Sequence, residues 1–211
     1  MSKWSEQMKL RQWLVAIIAL LGVNVGVMAQ SDQVEKSSDR GKNHVYIGAD
    51  FSFYNNLELE VESISIDDSS DLSDFGYSAV VGYEFDTHKV VKIGVEGEYR
   101  DFGKVNYFNE LDVKGDGIFL NVKPKFIVLG EHADAYVSLL AGIGSMDIEG
   151  KLVSSGLSAS KSELGYQFGA ELGFIIGSDI DLHVGYRSAH VEIEDIDISI
   201  VSGYAGIRYH F

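Results

Sequence analysis

From residue 44 to the end of the chain, oily and polar side chains change places at every second position in run after run. That is the period of a β-strand with two unlike faces. The pattern predicts eight strands. The first, roughly 44–54, sets Val45, Ile47, Ala49, Phe51 and Phe53 against Tyr46, Gly48, Asp50 and Ser52. The second, 75–85, gathers Phe75, Tyr77, Ala79, Val81, Tyr83 and Phe85 on a single face. The third, 90–102, opposes Val91, Ile93, Val95 and Tyr99 to Lys92, Glu96, Glu98 and Arg100; the fourth, 117–127, opposes Ile118, Leu120, Val122 and Phe126 to Asn121, Lys123 and Lys125. Weaker alternation marks a fifth strand at 134–146. The sixth, 163–176, has Leu164, Tyr166, Phe168, Leu172 and Phe174 opposite Gly165, Gln167, Gly169, Glu171 and Gly173. The seventh, 180–188, sets Leu182, Val184 and Tyr186 against His183, Gly185 and Arg187, and the eighth, 200–211, sets Val201, Ala205, Ile207, Tyr209 and Phe211 against Ser202, Tyr204, Gly206, Arg208 and His210.

One face of these segments carries essentially no charge, and the other carries the Asp, Glu, Lys, Arg, Gln and Gly. A soluble sandwich and a lipid-embedded barrel share this period, so further features must decide. The connections alternate: 86–89, 128–133 and 177–180 read as tight turns, whereas 55–73, 103–116, 147–162 and 188–199 read as long polar loops. Membrane barrels have that asymmetry, with the longer loops outside. The polar face is rich in glycine, which a narrow barrel needs because its interior is crowded. The chain also ends on Phe211, preceded at every second position by Tyr209 and Ile207, a pattern expected to serve as an assembly signal for outer-membrane barrels. The expected fold is therefore all-β: an eight-stranded antiparallel up-and-down transmembrane β-barrel. Lipid offers no partner for a bare N–H or C=O, so such a sheet must close on itself. Pro124 removes one ladder donor, tolerable near a strand end.

The segment before the alternation reads differently. Lys9 and Arg11 precede an apolar run from Trp13 to Met28, and Val27-Met28-Ala29 supplies small residues before a cut. Residues 1–29 are thus expected to be a signal peptide cleaved after Ala29, with Met8 an alternative start. Residues 30–43, polar and without periodicity, are expected to be a periplasmic tail, and 44–211 the barrel. The chain has no Cys, which excludes disulfides, thiolate chemistry and a lipoprotein anchor. With 17 Lys and Arg against 32 Asp and Glu it has no basic footprint for nucleic acid.

Several segments resemble a known family. Tyr46-Ile47-Gly48-Ala49-Asp50, Gly82-Tyr83-Glu84-Phe85, Gly94-Val95-Glu96-Gly97-Glu98-Tyr99, Gly185-Tyr186-Arg187 and Gly203 to Phe211 are similar to the small outer-membrane β-barrels. That family includes the OmpA-like transmembrane domain, the opacity proteins and the Ail/OmpX group. The resemblance covers about 44–211 and is specific for architecture rather than function. It implies an outer-membrane location, contact with lipid and lipopolysaccharide, and handling by the barrel assembly machinery.

The inward charges are the candidate chemistry: Asp50, Glu84, Glu96, Glu98, Arg100, Lys123, Glu171, Arg187 and Arg208, with Lys92, Lys125, His183 and His210 beside them. An unpaired charge in a dry lumen is costly, so these groups are expected to form a polar network that plugs the barrel. A narrow gated pore passing small solutes or ions is the alternative. Two acidic loop segments, 57–68 and 191–198, keep the two-residue alternation past the expected membrane edge and resemble strands that extend the sheet. Such edges suit adhesion to a host or surface ligand by strand addition, and their acids suit divalent cations near lipopolysaccharide. No His is followed two residues later by Ser, and no nucleophile–base arrangement stands out. A non-enzymatic surface protein, monomeric and without cofactor or metal, is the expected outcome.

Overall fold

The computed structural model describes residues 44–61, 64–66, 75–107, 111–130, 133–177, 179–193 and 196–211. The expected leader and tail, residues 1–43, lie outside the described residues. Among the described residues nine strands follow in chain order: β1 (His44–Val61), β2 (Ile64–Ile66), β3 (Gly76–His88), β4 (Val91–Tyr107), β5 (Leu111–Val128), β6 (Ala133–Leu152), β7 (Ser158–Ile176), β8 (Ile180–Ile193) and β9 (Ile196–His210). The eight long strands pair antiparallel with their sequence neighbours, and β1 pairs β9, so the sheet closes into a ring; three-residue β2 folds back on the tip of β1.

The strands run well past the lengths that the alternation predicts. Most of the expected long loops are strand: β5 pairs β6 as far as Leu111↔Leu152, and β1 pairs β9 as far as Val61↔Ile196. The periodicity weakens there because charged residues now take the outer face. At the opposite end the connections are tight, as at Gly177, whose φ of 68° is open to glycine.

Within the ring the outer face is the apolar one. Val45, Ile47, Tyr77, Val81, Ile118, Leu120, Leu139, Ile143, Phe168, Leu172, Val184 and Ile207 are all exposed on it. Aromatic rings gather at two levels. Phe51 meets Phe75 (4.9 Å) and Tyr77 meets Tyr99 (6.4 Å) toward the long-strand end, whereas Tyr83 meets Phe85 (4.7 Å) and Tyr209 meets Phe211 (5.0 Å) toward the tight-turn end. Two such belts around an oily band match the two interfaces of a bilayer. Pro124 brings no N–H to the ladder, and its carbonyl accepts from Ser138 Oγ at 3.1 Å.

Above the band the polarity inverts. Among the described residues β3 begins at Gly76 and the β7–β8 ladder at Gly165↔Val191, so above that level the described strands of the one sheet fall into two groups, β4–β7 and β8–β9–β1–β2. They pack face to face through Phe102, Phe119, Met146 and Ile148 from one and Leu57, Ala189, Val191, Ile198 and Ile200 from the other. A bulge between Ser52 and Tyr54 shifts the phase of β1, so that Phe53 still faces out while Asn55 and Leu57 turn in. We call this region the collar.

Candidate functional site

The lumen below the collar is filled by side chains from every long strand. Asp50, Glu84, Glu96, Glu98, Arg100, Lys123, Glu171, Arg187 and Arg208 are all buried, each at 5% exposure or less. Lys125, His183 and His210 join them, and Lys92 is partly buried. Asp181, which the sequence reading passed over, belongs to the same set; it sits two residues before His183 and shares its face.

The contacts form three tiers. Nearest the tight turns, Lys125 Nζ bonds Glu84 (2.8 Å) and Asp181 (3.0 Å), Lys92 reaches Glu84 (2.9 Å), and the Tyr136 hydroxyl donates to Asp181 (2.6 Å). In the middle tier Glu171 accepts from Lys123 (2.7 Å), Tyr204 (2.7 Å) and Arg208 (2.9 Å). Glu96 accepts from Tyr46 (2.9 Å) and Asn121 (3.2 Å), while Arg208 Nε stands 3.8 Å away. In the upper tier Arg187 bridges Glu98 and Asp50, Asp50 accepts from Ser78 (2.9 Å), and Gln167 donates to Glu98 (2.7 Å). Arg100 hydrogen-bonds two neutral groups, Gln167 (3.1 Å) and Ser202 (2.6 Å), and Ser202 in turn bonds Asn55.

Eight carboxylates (Asp50, Glu84, Asp86, Glu96, Glu98, Asp134, Glu171, Asp181) thus share the inner face with six cations (Lys92, Arg100, Lys123, Lys125, Arg187, Arg208), and the partly exposed Asp86 pairs with Lys92 at 3.4 Å. Near-balance of this kind is what a dry interior demands, because a charge left alone there costs several kcal/mol. Most of the chain's formal charge of −15 is therefore carried outside the lumen. The network stops at Arg100, whose guanidinium lies 4.4 Å over the Phe102 ring. Phe102 meets Phe119 edge-on at 6.3 Å, and from there upward the inward side chains are the apolar layer of the collar.

Outside the lumen the groups are sparser. On the collar wall Asp101, Asp116 and Asp147 are cross-strand partners in one outward row, with Lys104–Asp112 (2.7 Å) and Lys114–Glu149 (2.8 Å) above them. Burial and the two flanking aspartates raise the Asp116 carboxyl above its ordinary pKa. Among the described residues no set of three or more acidic and histidine side chains could hold a metal ion. One serine–histidine contact does occur: Ser188 Oγ lies 2.8 Å from His190 Nε2. It is local to one strand, with His190 stacked against Tyr166 and Phe168. Residues 188 and 190 are paired on both sides, to β7 and to β9, so their amides are committed to the ladder. The amides of residues 188–190 are therefore not free to serve as donors to a developing oxyanion.

A closed ring with an apolar girdle and a salt-bridged interior is the geometry on which the comparisons bear. The family model for the outer membrane protein beta-barrel domain matches residues 15–211. The chain belongs to this family. It is an outer-membrane protein whose oily outer face contacts lipid. Among solved structures, Neisserial surface protein A is similar at 15% identity, covering 79% of this chain and 97% of that one, with a TM-score of 0.51. The Ail attachment invasion locus protein of Yersinia pestis is similar at 15% identity, covering 81% and 99%, with a TM-score of 0.48. OprG from Pseudomonas aeruginosa follows at 10% identity, covering 81% and 96%, with a TM-score of 0.42. These likenesses concern the fold. No curated protein matches the sequence.

Proposed function

We propose that this protein is a sealed, non-enzymatic barrel that anchors a collar on the cell surface, and that the collar serves a structural and adhesive role. The observation that carries the proposal is the stacking of two unlike seals in one lumen. The polar network from Glu84 to Arg100 fills the membrane level, and the apolar layer around Phe119 and Met146 closes the mouth above it. An ion would have to break salt bridges and then cross an oily constriction, which excludes water by dewetting. The committed amides around Ser188 support the absence of catalysis there.

Further parts belong to the same proposal. Residues 1–29 act as a cleaved signal peptide and 30–43 as a periplasmic tail. Ile207, Tyr209 and Phe211 are read by the assembly machinery, lipopolysaccharide packs around the collar base, and the barrel is a monomer. The collar then faces outward, since a chain entering from the periplasm places the tight turns on that side.

A low-conductance pore is the competing reading. The loose spacing of Glu96 and Arg208, 3.8 Å, favours it, because such a contact can exchange partners. Single-channel recording in a planar bilayer decides between them. Silence at all voltages is expected of the sealed barrel, and steady conductance steps from the unmodified protein would overturn the proposal.

A further inference from the structure

The two acidic segments expected to offer strand edges are, within the described residues, paired with each other: β1 with β9 through Val61↔Ile196 and β8 with β9 through Ile193↔Ile196. These strands carry Glu58, Glu192 and Asp197, and residues 188–207 contain no Lys or Arg. The lysines of the described collar, Lys104, Lys114, Lys151 and Lys161, all stand on β4–β7. The two sides of the collar are thus unlike in charge.

The β6–β7 hairpin carries the lysine side outward. Its strands pair from Ala133↔Ile176 to Lys151↔Ser158. Ser145 shares a row with Tyr99 of the upper aromatic belt, through Ile118. From Ser145 to Leu152 the strand then rises about 20 Å beyond that belt. Two backbone bonds close the tip: the Leu152 amide donates to the Leu157 carbonyl and the Gly156 amide to the Leu152 carbonyl, each at 2.9 Å. Gly156 takes a φ of 68°, which glycine adopts without strain. Leu152 and Leu157 are thereby held opposite each other, with their side chains on one face.

Every residue from Lys151 to Ser162 is exposed, including Leu152 (45%), Val153 (49%) and Leu157 (68%). The apolar layer of the collar reaches Ile148 on β6 and does not cover them. Ser154-Ser155-Gly156 supply the small residues that a tight turn needs, so the turn itself does not call for the three apolar neighbours. Residues 150–162 hold Lys151 and Lys161 and no Asp or Glu, in a chain of formal charge −15. Lys151 stands opposite Asp112, whose carboxylate binds Lys104 at 2.7 Å. Lys161 lies 3.7 Å from Glu163, with both side chains 42% exposed, a surface pair of small worth. An apolar wedge between two lysines suits a bilayer surface: the wedge passes the headgroups while the ammonium groups stay among them.

We propose that the tip of the β6–β7 hairpin inserts Leu152, Val153 and Leu157 into the surface of an anionic phospholipid bilayer that faces the cell. The inference rests on the surface-acting reading and names a lipid surface as the collar's contact. The tip stands away from the protein's own membrane, so the bilayer it meets is another one. Lys151 and Lys161 select anionic headgroups, and the acids on β8, β9 and β1 keep the other side of the collar off the same surface.

The test uses the full protein in phosphatidylcholine nanodiscs, with Val153→Cys carrying an environment-sensitive fluorophore; the chain has no Cys of its own. Vesicles of phosphatidylserine and phosphatidylcholine are expected to shift the emission to the blue, and spin-labelled lipid in those vesicles to quench it. Leu152→Ser with Leu157→Ser is expected to weaken vesicle binding about tenfold or more. Lys151→Gln with Lys161→Gln is expected to weaken it about tenfold. All these positions are exposed, so both variants are expected to keep the heat-modifiable gel mobility of the folded barrel. No blue shift, equal binding of either variant, or equal binding to vesicles of phosphatidylcholine alone would each overturn the proposal. A shift that appears without vesicles and grows with protein concentration would overturn it by assigning the tip to a second copy. A shift quenched by spin-labelled lipid in the nanodisc would overturn it by assigning the tip to the protein's own membrane. A barrel that is silent in a planar bilayer but keeps its tip in water would overturn this inference alone and leave the sealed-barrel proposal standing.

Discussion

Tyr204 lies across Gly185, its cross-strand partner: a Cβ on Gly185 would stand 2.6 Å from the ring's Cζ. The same relation joins Tyr46 to Gly82 and Tyr136 to Gly173. Each tyrosine reaches over the bare glycine backbone to a carboxylate on a further strand: Glu171, Glu96 and Asp181 respectively. The glycines of the polar face thus do more than relieve crowding; they are the beds on which the hydroxyl arms lie. Gly185→Ala is expected to lift the Tyr204 ring away from Glu171 and to destabilise the barrel by about 1–3 kcal/mol, the range for overpacking a filled interior. Gly97→Ala is the control, because its Cβ would meet only the Val81 carbonyl oxygen at 4.0 Å. Urea unfolding in lipid vesicles compares the two, and equal stabilities would show that the ring has room to move.

Two seals in series make a definite prediction for conductance. Glu171→Gln with Arg208→Gln loosens the middle tier but leaves Phe119 and Met146 above it. Phe119→Ser with Met146→Ser wets the upper layer but leaves the salt bridges below. Each pair of substitutions alone is expected to stay silent in a planar bilayer. All four together are expected to give steady openings. Openings from the first pair alone would mean that the apolar layer is no barrier.

Much of this was legible in the sequence. The strands, their lipid-facing residues and the inward charges follow from alternation alone, because lipid forbids charge on one face and a narrow lumen forbids bare apolar space on the other. The upper layer was not read, although the chain marks it. Along β9 the apolar residues fall on 198 and 200 and then on 201, 205, 207 and 209. The doublet Ile200-Val201 is the point where the oily face changes sides. Phe53-Tyr54 marks the same inversion in β1, where a bulge carries it out. Partners were less legible than faces. Arg208 bonds Glu171 at 2.9 Å and stands 3.8 Å from Glu96, while Glu96 accepts from Tyr46 and Asn121 and has Lys123 at 3.7 Å. Which inward charge meets which depends on the stagger of strands around the ring, which alternation does not encode.

Lys125 holds the lowest tier alone between two acids on opposite sides of the lumen, Glu84 and Asp181. Replacing it leaves Glu84 with Lys92, but leaves Asp181 with only Tyr136 and the histidines. Lys125→Met is therefore expected to lose about 3–5 kcal/mol, the usual result of orphaning a buried charge. Adding Asp181→Asn removes the orphan and is expected to recover part of that loss. A double-mutant cycle by urea unfolding measures the coupling, and a double variant no more stable than Lys125→Met would place the damage in packing.

The row Asp101, Asp116, Asp147 at the base of the collar sets like charges on directly opposed positions, an arrangement that costs stability. Asp116 feels it most: burial first, then Asp147 and Asp101, raise its pKa in the folded state. The sign follows from linkage. A carboxyl that binds its proton more tightly when folded penalises the fold once ionised, and the penalty is relieved as pH falls through the raised value. Asp116→Asn is thus expected to stabilise the barrel at neutral pH. The gain should shrink as the pH approaches about 4, where the ordinary carboxyl of the unfolded chain also takes its proton. Urea midpoints of both proteins across that range test this, and a gain that held constant down to low pH would mean that the benefit of the substituted amide comes from hydrogen bonding rather than from lost repulsion.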